Sequence, residues 1–338
     1  MSYALALLPV LLFLIGLSLM DSFKLVPLRA VLRSLAGGAV AALVTELLMG
    51  TQPFQQLSLP VLVGYAGPII EECAKAALVA WLVASRRVGF LVDAALLGFA
   101  VGAGFALVEN VAYLRELTDV PLALWLVRGL GTAVMHGGTT AVFAMLARQL
   151  TDRFPRRGWL MFAPGLLVAV AVHGAFNRLL LPPLAQTALI VAILPLLMLF
   201  VFERSERVTR EWVGAGLDLD VELLQLVTSE HFEVTRFASY LRSLRVRFPG
   251  PIVADMFCLL RLELELSVQA KALVLARGAG LHLPGDEDLD RALGEYTFLK
   301  RSIGRTGLLA LRPVQVTSDR DDWHGHLLTQ ARRGRAPR

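Results

Sequence analysis

Charge is scarce in this 338-residue chain. Asp, Glu, Lys and Arg make up 18% of it against 56% hydrophobic residues, where soluble proteins carry about 25% charge. The shortfall excludes an ordinary water-soluble domain. Cysteine is nearly absent, and Cys73 and Cys258 lie too far apart in sequence and setting to define a disulfide framework or a cysteine-rich zinc cluster. Both read as small buried hydrophobes. There is no His-Glu-x-x-His and no internal repeat. The net charge of +5 is too small and too evenly divided to suggest nucleic acid as a partner. No Lys or Arg precedes the first apolar run, and Met20-Asp21-Ser22-Phe23-Lys24 offers no small-x-small cleavage site, so that run is expected to be a retained span.

The charge that is present is unevenly placed. Residues 1–203 hold 13 Lys and Arg and 10 Asp and Glu, whereas residues 204–338 hold 20 and 18. The first part suits lipid and the second water. The expected organisation is a transmembrane domain over 1–203, a cytoplasmic helical domain over 204–330 and a basic disordered tail over 331–338, with anionic lipid as a candidate contact of that tail.

Crossing the hydrocarbon takes about 20 apolar residues. Seven stretches qualify: Tyr3–Met20, Ser34–Met49, Leu57–Ala84, Phe90–Leu114, Pro121–Ala147, Trp159–Leu181 and Leu184–Phe202. Connections after the odd-numbered stretches carry twelve Lys and Arg, among them Lys24, Arg87, Arg148 and Arg204, and the opposite connections carry two, Arg115 and Arg178. The positive-inside rule then puts the N-terminus outside and the C-terminal part in the cytoplasm. In that part, helices are expected over about Asp220–Phe248, from Pro251 to Arg277 and from Asp286-Glu287-Asp288 onward. The fold class is all-α: a polytopic bundle of about seven transmembrane helices with a C-terminal helical cytoplasmic domain.

Ionisable groups inside these stretches need a reason. Glu71, Glu72 and Lys75 share the third stretch. Together they oppose insertion by about 8–10 kcal/mol, while its Leu, Ile and Val return about 3–6. Other helices or a wet cavity must shelter them. Lys75 stands i+4 from Glu71 and i+3 from Glu72, so it can neutralise either, leaving one carboxyl free to exchange a proton. The fourth stretch adds Glu109 and Asn110, with Gly98 and Gly102 spaced for close helix approach. The fifth adds His136, and the sixth His173 and Asn177, four apart on one face. Glu46, Asp93 and Arg128 read as edge or packing charges, and His231, His282, His324 and His326 as solvated. Counted along straight helices, the four reactive positions lie at depths from about 8 to about 22 Å, which is wide for one site.

Glu-Glu-x-x-Lys, Phe-x-x-x-Glu-Asn, a His in the next span and then His-x-x-x-Asn closely resemble the PrsW family of intramembrane proteases, related to the CPBP group with its type II CAAX prenyl endopeptidases. The likeness covers about Leu59–Leu181 and says nothing of residues 204–338. It implies that Glu71, Glu72, Glu109, His136 and His173 form the reactive cluster, with Lys75, Asn110 and Asn177 in support. It also implies a membrane-anchored protein substrate of the anti-sigma-factor kind, cut near the outer face of a bacterial inner membrane in regulated proteolysis. Lys75 stands where the CAAX endopeptidases carry an Arg one residue further on, which argues against prenyl-peptide cleavage.

Two mechanisms fit these residues. In one, a carboxylate of the Glu71/Glu72 pair activates water while an imidazole positions it or stabilises the oxyanion. In the other, His136, His173 and Glu72 are candidate ligands of a divalent metal such as zinc. Cys73 beside Glu72 is expected to be inert as a nucleophile. The rival functions are a transporter or proton relay built on the same Glu/His cluster and an idle scaffold whose cytoplasmic domain docks a protein partner. A transporter would be expected to show inverted repeats, which are missing here.

Overall fold

The computed structural model describes residues 2–21, 26–85, 87–116, 120–281 and 287–314. All regular structure among them is helical. The basic tail 331–338, His282, His324, His326 and Asp286 lie outside the described residues. The chain forms two compact units, Met1–Arg207 and Val208–Arg338.

The first unit contains α1 (Ser2–Met20), α2 (Leu28–Met49), α3 (Gly67–Ala84), α4 (Leu91–Glu116), α5 (Ala133–Arg153), α6 (Ala163–Asn177) and the start of α7 (Pro183–Thr228). Five helical runs among the described residues are long and apolar enough to cross a bilayer: α2, α4, Leu122–Arg153, Arg157–Asn177 and α7. Two of the seven expected stretches fall short of that measure. The run in α1 is shorter, and α3 carries Glu71, Glu72 and Lys75.

Helix α2 starts at Leu28, earlier than Ser34, because Pro27 is extended and its carbonyl accepts the Ala30 N–H at 2.7 Å. Arg29 and Arg33 therefore sit on the helix itself. Helix α7 also overruns its expected end at Phe202. The stretch that follows spaces Glu203 from Arg207 and Glu206 from Arg210 by four residues, a pattern that favours continued helix in water.

Helix α4 is the centre of the bundle, packed against α5, α2, α1 and α3 and buried along most of its length. The approach is possible because glycines stand where side chains would collide. A Cβ on Gly102 would lie 2.1 Å from the His136 carbonyl oxygen on α5, and one on Gly104 would lie 1.9 Å from the Leu35 oxygen on α2. Without a hydrophobic drive between helices in lipid, such backbone contact is a main source of association. It also sets the distance between Glu109 and His136. The outward faces of α2, α6 and α7 expose Leu47, Leu167, Leu196 and Phe200, as lipid-facing helices do.

Both cysteines differ from expectation: Cys73 and Cys258 are free and exposed. Cys73 follows Glu72, and one residue turns a helix by about 100°. Since Glu72 and Lys75 point into the bundle, Cys73 points away from it.

In the second unit, the end of α7 is followed by a 3-10 turn (Glu230–Val234), α8 (Arg236–Leu244), α9 (Gly250–Gly278) and α10 (Glu287–Leu311). The expected Asp220–Phe248 segment is thus interrupted at Ser229. The alternating run Leu260–Leu266 is helical, and Leu260, Leu262, Leu264 and Leu266 are all buried because α9 packs on more than one face. Asp220 accepts hydrogen bonds from Ser267 and, at 2.6 Å, from Lys271, whose ammonium also reaches the Gly216 carbonyl at 3.0 Å.

Replacing Gly102 by Val should push α4 off α5. A loss of about 1–3 kcal/mol is expected, as for overpacked cores, read as a lowered melting temperature in detergent. An unchanged melt would mean that the two backbones are not in contact.

Candidate active site

Glu71, Glu72 and Lys75 enter the bundle just after a distorted turn. The chain is π-helical over Leu62–Ala66, with the Gly67 N–H on the Leu62 carbonyl, and Pro68 follows. The shifted bond leaves the Val63 carbonyl without Gly67, and Pro68 has no N–H to offer in its place. The amide of Asn177 fills the gap, donating to Val63 O at 3.1 Å. Its other contact is His173 Nε2 at 3.2 Å. One side chain thus ties the start of α3 to the end of α6.

Lys75 is completely buried. Its ammonium lies 2.6 Å from Glu72 Oε1 and 2.8 Å from His136 Nδ1, with the Phe105 ring 4.6 Å away. An ammonium has only donors, so His136 Nδ1 must accept. The proton of that ring then sits on Nε2 and is donated to Glu109 Oε2 at 2.9 Å. His173 is set the opposite way: Nδ1 lies 2.8 Å from Glu72 Oε1, a carboxylate acceptor, so Nδ1 carries the proton and Nε2 is bare. The two rings meet edge to face with centroids 4.7 Å apart.

Glu71 is the acid left over. Its Oε2 is buried, makes no hydrogen bond among the described residues and lies 3.8 Å from His173 Nε2. Two acceptors face each other across a gap too wide for a direct bond.

The four spans therefore converge in spite of their uneven depths. Glu109 is seven residues from the end of α4, while His136 is fourteen from the start of its helical run at Leu122, so the helix ends are not level. Asn110 does not join the cluster. It turns about 100° away from Glu109 and donates to the Ala6 carbonyl at 2.8 Å, holding α1 to α4. Arg128, expected to be a packing charge, is in the site: its Nη2 lies 3.2 Å from Glu109 Oε1 and its guanidinium stacks 3.4 Å over Tyr113. It lies in a second π-helical turn, Val127–Thr132, and no motif in the sequence marked it. Asp93 behaves as the edge charge expected, accepting the N–H groups of Gly89 and Phe90 at the start of α4.

A profile described as PrsW family intramembrane metalloprotease matches residues 26–202, which is more than half of the chain. The chain belongs to that family. No curated protein and no solved structure matches it. As a PrsW protein it is a multi-pass membrane peptide hydrolase that acts on membrane proteins.

The family implies a metal, and the donor set can be tested against one. Glu71, His136 and His173 each bring one ligand atom to within 4.8 Å of the others. Glu71 Oε2 has no partner among the described residues, and His173 Nε2 carries no proton and would join by releasing the Asn177 amide 3.2 Å away. Two imidazoles and a carboxylate are what a catalytic zinc takes, so the residues fit. His136 would join by releasing Glu109 or Lys75. Glu72, the carboxylate grouped with the imidazoles from sequence, is instead held by Lys75 and orients His173 from behind.

Removing the ammonium should cost more than an ordinary core substitution. Lys75→Met leaves Glu72 buried without its cation, and a loss of about 3–5 kcal/mol is expected. The double variant Lys75→Met/Glu72→Leu should recover most of it. A single variant as stable as the parent in thermal unfolding would contradict the pairing.

Proposed function

We propose that Glu71 is the general base of an intramembrane endopeptidase and that His173 holds the attacking water against it. The carrying observation is the pair of facing acceptors, Glu71 Oε2 and His173 Nε2, 3.8 Å apart. A water about 2.8 Å from each would donate one hydrogen to Glu71 and, displacing the Asn177 amide that lies 3.2 Å from Nε2, the other to His173, leaving its lone pairs to face a substrate carbonyl. Glu71 takes one proton as the water oxygen bonds to the carbonyl carbon and the C=O electrons move to oxygen. Collapse of that adduct expels the amine, and Glu71 returns the proton to the leaving nitrogen. Glu72, fixed by Lys75, keeps the His173 proton on Nδ1 and orients the ring, and Asn177 occupies Nε2 until the water takes its place. The ammonium of Lys75 offsets carboxylate charge while the oxyanion exists.

When bound to Glu71, His136 and His173, a divalent ion would polarise the carbonyl and make the water more acidic.

The reading extends to topology. All seven expected stretches cross the membrane, α3 included, because its charges are spent inside the bundle. Arg148 donates to the Gly89 carbonyl at 3.0 Å, so the α3–α4 connection and the C-terminal part of α5 share one end of the bundle. That end is rich in Arg and is assigned to the cytoplasm, together with a helical domain over 204–330. Asn177 ends α6 at the other face, which favours cleavage near the outer surface. A membrane-anchored regulator resembling an anti-sigma factor, in a bacterial inner membrane, is the substrate class proposed.

In liposomes with a single-span substrate, Glu71→Gln and His173→Ala should each lower cleavage by about 10²- to 10⁴-fold without loss of folded protein. Full activity in both would end the proposal. Metal content of the purified protein, measured with and without chelator, should parallel activity if the ion is required.

A further inference from the structure

One cation in the site has no task in the scheme above. Arg128 is only 12% exposed, yet its Nε and Nη2 make no hydrogen bond among the described residues. Nη2 is close enough to Glu109 to feel its charge but is not aligned for a bond, and Tyr113 covers one face of the guanidinium. A buried donor without an acceptor is costly in a protein and more so in lipid. Glu109 also bonds His136, which brings a ring nitrogen to within 4.8 Å of an oxygen of Glu71, the unpartnered acceptor. Orphaned donors and an orphaned acceptor thus belong to one connected cluster of side chains.

We propose that Arg128 is a substrate-binding residue whose guanidinium takes a main-chain carbonyl oxygen of the segment being cut. The proposal rests on the proteolytic reading. A transmembrane substrate enters as a helix with its carbonyls bonded, and the scissile bond is reached only when a turn unwinds. Each carbonyl released then lacks a donor in a place where water is scarce. Arg128 holds donors in reserve for it.

The ligand is a neutral carbonyl and not a carboxylate side chain. Counted formally, Glu71, Glu72 and Glu109 outnumber Lys75 and Arg128 by one charge, so a further anion would meet repulsion. A structural role as the counter-ion of Glu109 accounts for the charge of Arg128. It does not account for the two unused donors, since a lysine would serve.

The test is a binding cycle with the full chain in liposomes. Every protein carries Glu71→Gln to stop turnover. The probe is a labelled single-span Leu/Ala peptide with a central Gly-Gly pair, and each amide around that pair is replaced in turn by an ester, whose carbonyl is a weaker acceptor. With Arg128 present, one ester should weaken binding about fivefold, the worth of one hydrogen bond. With Arg128→Lys, which keeps the charge beside Glu109, or Arg128→Met, the same ester should change binding less than about twofold. If Arg128→Met does not fold, Arg128→Lys carries the cycle. Equal ester effects in all proteins, or no binding of the probe when Arg128 is present, overturns the proposal. Cleavage by the Glu71 protein with an additive cycle would remove the role of Arg128 alone. A coupled cycle with no cleavage would remove the proteolytic reading alone.

Discussion

A single buried ammonium organises this bundle. Lys75 touches Glu72 on its own helix and His136 on another, and its lack of any acceptor dictates where the protons of the site must lie. Because Lys75 feeds His136 Nδ1, that ring can only donate to Glu109. Because Lys75 neutralises Glu72, the latter is free to fix His173, and Glu71 is left without a partner. The chemistry proposed for the site follows from this division of two neighbouring carboxylates into one that supports and one that reacts. The pairing also removes two of the three charges from the insertion problem, since an ion pair with its bonds satisfied costs far less in a bundle than separate charges in lipid, and the third, Glu71, is sheltered among the same helices.

The geometry around that pairing comes from small residues and broken hydrogen-bond ladders. Gly102 lets α4 lie against the His136 carbonyl, which brings Glu109 within reach of the imidazole. Two π-helical turns, at Leu62–Ala66 and Val127–Thr132, sit beside Glu71 and around Arg128. Such turns are frequent at functional sites because they rotate side chains out of the regular helical register. At the first, Pro68 strands a carbonyl, and Asn177 meets it while also reaching His173.

Much of this was legible in the sequence, and the reasons are physical. Charged residues in apolar stretches stand out because lipid penalises them, so Glu71, Glu72, Glu109 and Lys75 identified themselves, and helical spacing linked His173 to Asn177. What spacing could not reveal was direction. Glu71 and Glu72 are adjacent, and only packing decides which one Lys75 takes. Asn110 follows Glu109, yet its side chain binds α1. Arg128 looked like an edge charge because a lone Arg in a span usually is one, and its relation to Glu109 spans nineteen residues of chain between different helices. Depth counted along straight, level helices suggested a scattered site, whereas uneven helix ends bring the groups together.

The account makes a definite statement about two protons, and nitrogen-15 NMR of the metal-free protein with labelled histidine tests it most directly. His136 is predicted to carry its proton on Nε2 and His173 on Nδ1, each shift pattern assigned by its loss in the corresponding His→Ala variant. A proton on His136 Nδ1 would be incompatible with an ammonium 2.8 Å away and would contradict the arrangement on which the mechanism is built.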